Sequence, residues 1–205
     1  MDVKRSPRGR PRSLALLLLL AGLRVPAAAQ APKSPVTATF AATTAALSAG
    51  SGVALKIDIL RWSTDDDAAK LVATFKAKGD KAWLEALQNA PSVGYVWATT
   101  SSLGYSVKSA RRVTTPDGGA RILLALDRPL GSWDRPAWKA ATNPADYPFT
   151  VIELRVNKAG IGEGKVSLTG KVAIDDDAKA IALESYATDP VTVKGVKRTN
   201  AAAAP

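Results

Sequence analysis

A mainly β (α+β) domain is the fold class this sequence predicts: an antiparallel barrel or two-layer sandwich of eight or nine strands, with a two-helix insertion at about 65–89. Three observations carry the prediction. Short runs alternate apolar and polar residues, as Val53, Leu55, Ile57 and Ile59 do against Ala54, Lys56 and Asp58, which is the period of a strand with one buried face. Turn-forming clusters interrupt these runs roughly every ten residues, and connections that short join antiparallel neighbours. One stretch, 64–90, departs from the two-residue period and carries helix start and stop signals instead. The pattern favours an up-and-down barrel with the helix pair over one end.

Taken in order, residues 1–29 read as an export signal. Lys4, Arg5, Arg8, Arg10 and Arg12 precede an uncharged, leucine-rich stretch at 14–23, and Ala27-Ala28-Ala29 offers a small-residue cleavage site. An apolar stretch of that length rises only about 15 Å as a helix, half of a bilayer's hydrocarbon core, so it reads as a leader and not as an anchor. No second long apolar run follows, and the absence of cysteine excludes a lipoprotein anchor. The expected location is the periplasm or the extracellular medium, with no integral membrane segment after cleavage. Residues 30–35 form a proline- and alanine-rich lead-in expected to be flexible, 36–198 a single β-rich domain, and 199–205 a frayed tail.

Within the domain, 36–44 is a first strand of Ala/Thr-rich composition, 48–52 a turn, and 53–60 the clearest alternating strand. Thr64 followed by Asp65, Asp66 and Asp67 starts a helix, because a side-chain oxygen caps free amides and carboxylates favour the positive end. Leu71, Val72 and Phe75 mark its apolar side and Gly79 ends it. Asp80 opens a second helix with Trp83, Leu84 and Leu87 on one face, stopped before Pro91. Strands follow at 93–99 and 105–114, then a hairpin turn at 115–119, then a strand at 122–127. Further strands are expected at 149–157, 166–174, 181–186 and 191–197, separated by turns at 158–164, 175–179 and 189–190. Val166, Leu168, Val172 and Ile174 share one face of the 166–174 run, and Tyr95 and Trp97 share a face that reads as core.

Composition narrows the chemistry. Of the formal net charge of +10, half belongs to the leader, and the cations that remain are scattered without a stripe of interleaved aromatics. Nucleic acid is therefore not an expected partner. Zero cysteine in an exported chain means that packing, not disulfides, holds the fold. Zero histidine removes Ser-His-Asp and Cys-His nucleophile systems and His-ligated zinc. The Asp triplets at 65–67 and 175–177 read as a helix cap and a hairpin turn, because consecutive carboxylates diverge and no calcium-loop spacing is present. No metal or other cofactor is expected, and no catalytic residue is assigned. Asp127, Asp134, Asp146 and Glu153 could pair as in a glycosidase, but nothing in one dimension makes them converge.

The candidate binding residues are Arg61 and Trp62 at the end of one strand, and Trp133, Asp134, Arg135, Trp138 and Tyr147 in the long connection at 127–148. Loops of this length are usually lids or binding segments, and three large rings can gate a cavity. The same rings could equally plug the barrel, and an arginine beside an indole can make a purely structural cation–π contact.

The phrases Arg61-Trp62-Ser63-Thr64, Pro91-Ser92-Val93-Gly94-Tyr95, Asp127-Arg128-Pro129-Leu130, Tyr147-Pro148-Phe149-Thr150-Val151-Ile152-Glu153 and Gly162-Glu163-Gly164-Lys165 resemble a group of uncharacterised exported bacterial proteins. The resemblance covers about 53–197 and implies bacterial export. The expected function is an exported binding module for a small or apolar ligand, a small molecule or a lipid, at the barrel mouth. The alternatives are an envelope protein-interaction module that docks through an edge strand near 191–196, and a histidine-free carboxylate hydrolase.

Overall fold

Strands with one apolar face must bury that face, and eight strands of this chain do so by closing on themselves. The computed structural model describes residues 36–45, 52–98, 101–132, 148–167, 172–186 and 191–199, all within the unit Ser34–Pro205. The elements are β1 (Ala38–Thr44), β2 (Ala54–Ile59), α1 (Asp65–Asn89), β3 (Gly94–Ala98), β4 (Tyr105–Thr114), β5 (Ala120–Leu126), β6 (Thr150–Val156), β7 (Ile161–Ser167), β8 (Val172–Asp175), β9 (Ala180–Leu183) and β10 (Val191–Arg198). The barrel order is β1-β10-β7-β6-β5-β4-β3-β2, and β8 and β9 form a separate two-stranded ribbon. From β1 to β7 the chain is a simple meander. β10 then enters antiparallel between β7 and β1 and completes the ring.

The two-residue period decides what is inside. Phe40, Ile57, Val96, Leu124, Leu154 and Val196 belong to one continuous apolar cluster that fills the barrel. The intervening residues point outward, and over β4–β6 the outside is covered as well. Trp83 and Leu87 of α1 pack with Ala125, Phe149 and Val151 and with Ile181 and Leu183 of β9. Leu123 packs with Ala178, Ala180 and Ala182. Burial on both faces explains why β5 is unbroken apolar sequence from Ile122 to Leu126. The helical insertion therefore lies along the outer wall, where the sequence pattern had suggested a cap over one end. Among the described residues no helix is long and apolar enough to cross a membrane.

The helical insertion begins as its sequence dictates. Thr64 is extended, and its side-chain oxygen accepts the Asp67 amide at 3.1 Å. Two helical segments meet at Gly79, whose φ of 74° and ψ of −168° break the spiral. The break turns the second segment so that Leu71 and Phe75 from the first and Trp83, Leu84 and Leu87 from the second reach the same cluster. An alanine at 79 would have open space around its Cβ, but only glycine adopts that backbone comfortably. Gly79→Ala is expected to cost on the order of 1–3 kcal/mol, read as a lower urea midpoint at unchanged m value.

Four sequence expectations change. The run 166–174 is not one strand: Val166 ends in the barrel on β7, whereas Val172 and Ile174 lie on β8 in the outer ribbon. This division gives ten strands among the described residues. The turn expected at 158–164 closes at Gly160, and β7 begins at Ile161. Gly162 and Gly164 belong to the strand because β6 approaches so closely that a Cβ at 162 would stand 1.9 Å from the Arg155 carbonyl oxygen. Tyr95 and Trp97 do share a face, but it is the outer one, half-buried, with Lys56 Nζ 5.3 Å from the Trp97 ring centre. Finally, the stretch near 191–196 is no free edge, since β10 is hydrogen-bonded on both sides.

Candidate ligand site

The antiparallel meander puts the connections after β2, β4, β6 and β10 at one end of the barrel and the connections after β1, β3, β5 and β7 at the other. The second end is closed by Leu130, which is fully buried in the barrel cluster. Its amide donates to Thr150 Oγ1 at 2.8 Å, and that hydroxyl donates to the Arg128 carbonyl at 3.1 Å. The root of the long connection is thus a plug. Trp133, Asp134, Arg135, Trp138 and Tyr147 lie outside the described residues.

The first end is different. Here the apolar filling reaches solvent through a depression of about 210 Å³ floored by Phe40, Trp62, Ile122 and Val156. Trp62 is half-buried and packs on the barrel core. Its position is fixed from both sides: the Arg61 amide donates to the Val93 carbonyl at 3.2 Å and the Ser63 amide to the Ala110 carbonyl at 2.8 Å. Ser63 Oγ in return accepts the Ala110 amide at 3.0 Å.

Three cations rim this mouth. Alternation along β4 carries Ala110 inward, and Arg112, paired across from the buried Ile122, occupies the next inward position at the strand's open end. On β10 Val196 points inward and Arg198, paired with Phe40, follows it. Lys158 comes from the β6–β7 turn. Arg198 is held by a bond from its amide to the Gly160 carbonyl at 2.9 Å, and Gly160, at φ 76°, packs so closely that a Cβ would stand 2.8 Å from Arg198 Cβ. Among the described residues none of the three cationic side chains has an ion-pair partner, and Arg198 Nε is buried without a hydrogen bond. The nearest turn carboxylate, Asp117, is occupied by the Thr115 hydroxyl and the Gly119 amide, which hold it below the usual carboxylate value of 3.8.

A larger open cleft of about 760 Å³ adjoins the mouth, between the barrel wall and the β8–β9 ribbon. Its two arginines are already paired. Glu153, with 0% of its side chain exposed, accepts from Arg121 Nε and Nη2 at 2.8 and 3.0 Å and from Arg155 Nε at 2.9 Å. Arg121 Nη1 also binds Asp175 on the ribbon. Hydrogen bonding to Glu153 raises the Arg121 pKa further above its ordinary value. The Arg155 guanidinium lies 3.7 Å from the Tyr186 ring centre. Burial, with Glu163 nearby, pushes the Tyr186 hydroxyl up to about 12. This cluster fastens the ribbon to the wall.

Arg61 and Trp62 are adjacent in sequence but do not share a site. The Arg61 guanidinium pairs with Asp67 at 3.3 Å and faces a groove of about 230 Å³ between α1 and the wall. The Asp triplets serve helix and turn: Asp65 accepts from Lys179 and Arg111 at 2.9 and 2.8 Å, and Asp176 from Lys76 at 2.7 Å. Among the described residues no group of three or more acidic side chains is placed to hold a metal ion. Asp127 contacts Lys108 and Arg128 at 3.6 and 3.1 Å, in a cluster separate from that of Glu153. Sequence reasoning missed Arg112, Lys158 and Arg198. The signal for the two arginines was there, since each stands two places after a buried apolar residue of its strand, Ala110 and Val196. No family model matches the chain, and no curated protein or solved structure matches it either.

Proposed function

We propose that this protein is an exported binding module whose small ligand sits at the barrel mouth floored by Trp62. One observation carries the reading: among the described residues a filled barrel opens at one end into an aromatic-floored depression with unmatched polar groups around it. Pockets that combine an apolar floor with a few convergent polar groups are the ordinary form of a small-molecule site. Export to the periplasm or beyond, and kinship with exported bacterial proteins, are supported by the basic, leucine-rich and alanine-ended leader. Docking of an envelope protein through an edge strand has less support, because among the described strands only the β8–β9 ribbon has unpaired edges.

Native mass spectrometry on the protein purified from a bacterial envelope tests the reading. The expected result is an added mass that is lost on denaturation. Trp62→Ala is expected to weaken retention of that mass roughly tenfold, while Tm falls by only a few degrees because the indole is already part-exposed. Retention unchanged in Trp62→Ala would move the site elsewhere.

A further inference from the structure

We infer that the mouth selects an organic anion: a carboxylate or phosphate group between Arg112 and Arg198, carried on a flat apolar body over Trp62 and Phe40. The inference deepens the binding-module reading and rests on it.

Cationic side chains are common on surfaces, where they are solvated or paired. These two are placed differently. Both occupy interior-facing positions, in register with Ile122 and Phe40, so their stems rise from the edge of the apolar floor, Arg198 half-buried and Arg112 exposed at the open end of its strand. The Arg198 Nε–H is shut off from solvent and has no acceptor among the described residues. A buried donor without a partner costs free energy, so the Arg198 guanidinium is incompletely satisfied by the protein, and an anion in the mouth would engage its remaining N–H groups. Lys158 adds a third positive charge on the β6–β7 turn, and the Asp117 carboxylate nearby is engaged within its own turn. Guanidinium groups are the side chains suited to carboxylate and phosphate oxygens, because their N–H groups form a planar fork.

Size limits the body. A cavity of about 150 Å³ holds a benzene ring. The 210 Å³ of the mouth therefore accommodates one ring or a short chain with its head group, and not a polycyclic or long-chain molecule in full. The mouth is open at the top, so a longer tail would extend into solvent or along the neighbouring cleft.

Titration calorimetry with four probes of one shape tests the inference: phenyl phosphate, benzoate, benzyl alcohol and benzylamine. The expected order places the two anions at least about tenfold tighter than the alcohol, with benzylamine weakest, and the preference shrinks as salt is raised. Arg112→Gln and Arg198→Gln should each remove about tenfold from phenyl phosphate and leave benzyl alcohol unchanged. A purely structural role for either arginine would lower Tm and weaken all four probes alike. Equal affinity for anions and alcohol would overturn the charge selection and leave the binding-module reading standing. Failure of all four probes to bind would remove both. Phosphatidylglycerol vesicles address the source of the anionic group. Sedimentation of the wild type, lost in both arginine variants, would place the anion on a lipid head. Probe binding without sedimentation would place it on a free solute.

Discussion

Arg121→Met is expected to remove about 3–5 kcal/mol of folding stability, the range measured when one member of a buried ion pair is deleted. Arg121 serves two carboxylates at once, Glu153 on the next barrel strand and Asp175 on the outer ribbon. Without it Glu153 stays fully buried with Arg155 as the remaining arginine, and the ribbon loses the Asp175 ion pair to the wall. Chemical denaturation should show the loss directly. The double variant Arg121→Met/Glu153→Leu should recover much of it, since the penalty comes from the stranded charge and not from the missing attraction. If the double variant is no better than the single one, the cluster contributes attraction beyond mutual neutralisation. A pH dependence accompanies this. Burial works to raise the Asp175 carboxyl, but the Ala178 amide and the Arg121 guanidinium outweigh it and hold it below its ordinary value of 3.8. A depressed carboxylate contributes its stability above the unfolded value and loses it as pH falls through the folded one. Wild-type stability should therefore decline below pH 3.8, and Arg121→Met should decline less over the same window.

Trp83→Ala is expected to cost a similar amount, about 3–5 kcal/mol, by leaving a cavity that its neighbours cannot fill. The indole is 1% exposed. It meets Phe149 edge-on at 4.6 Å between ring centres and Phe75 at 5.7 Å. It is the one large ring that joins the second helical segment to the barrel wall, so its loss should loosen α1 and the ribbon together. Thermal unfolding should show Tm lower by roughly 10 °C or more for a domain of this size. The indole Nε1–H has no hydrogen-bond partner among the described residues. Trp83→Phe, which removes that donor and keeps a ring, should therefore cost clearly less than the alanine change. A Tm drop equal in the two variants would show that the ring edge, not the ring itself, matters.

The barrel was legible because its strands have one buried face and short turns. The alternation at 53–60, the hairpin turn at 115–119 and the helix break at Gly79 all stand in the structure where their residue types put them. What was not legible depended on distant partners. Gly162 and Gly164 read as a turn, because the close approach of β6 that requires small residues is a tertiary fact. The division of 166–174 between barrel and ribbon, and the outward direction of Trp97, likewise depend on which layer each residue meets. At the site, Trp62 could be singled out as a large ring ending a strand. Its separation from Arg61 could not, since that follows from the opposite directions of successive side chains after β2. Arg112 and Arg198 looked like ordinary solvated cations until the register placed them over Ile122 and Phe40.

The way the barrel closes also sets the order of its assembly. Seven strands in succession each find a partner in the strand just made, but β1 and β7 stay open along one side until β10 arrives. The closing pairs join residues as far apart as Phe40 and Arg198, so loop closure comes late and slowly, and the nascent meander carries two bare edges in the meantime. The strand that completes the wall also delivers Arg198 to the mouth. A chain that has not closed therefore has no finished rim at the mouth.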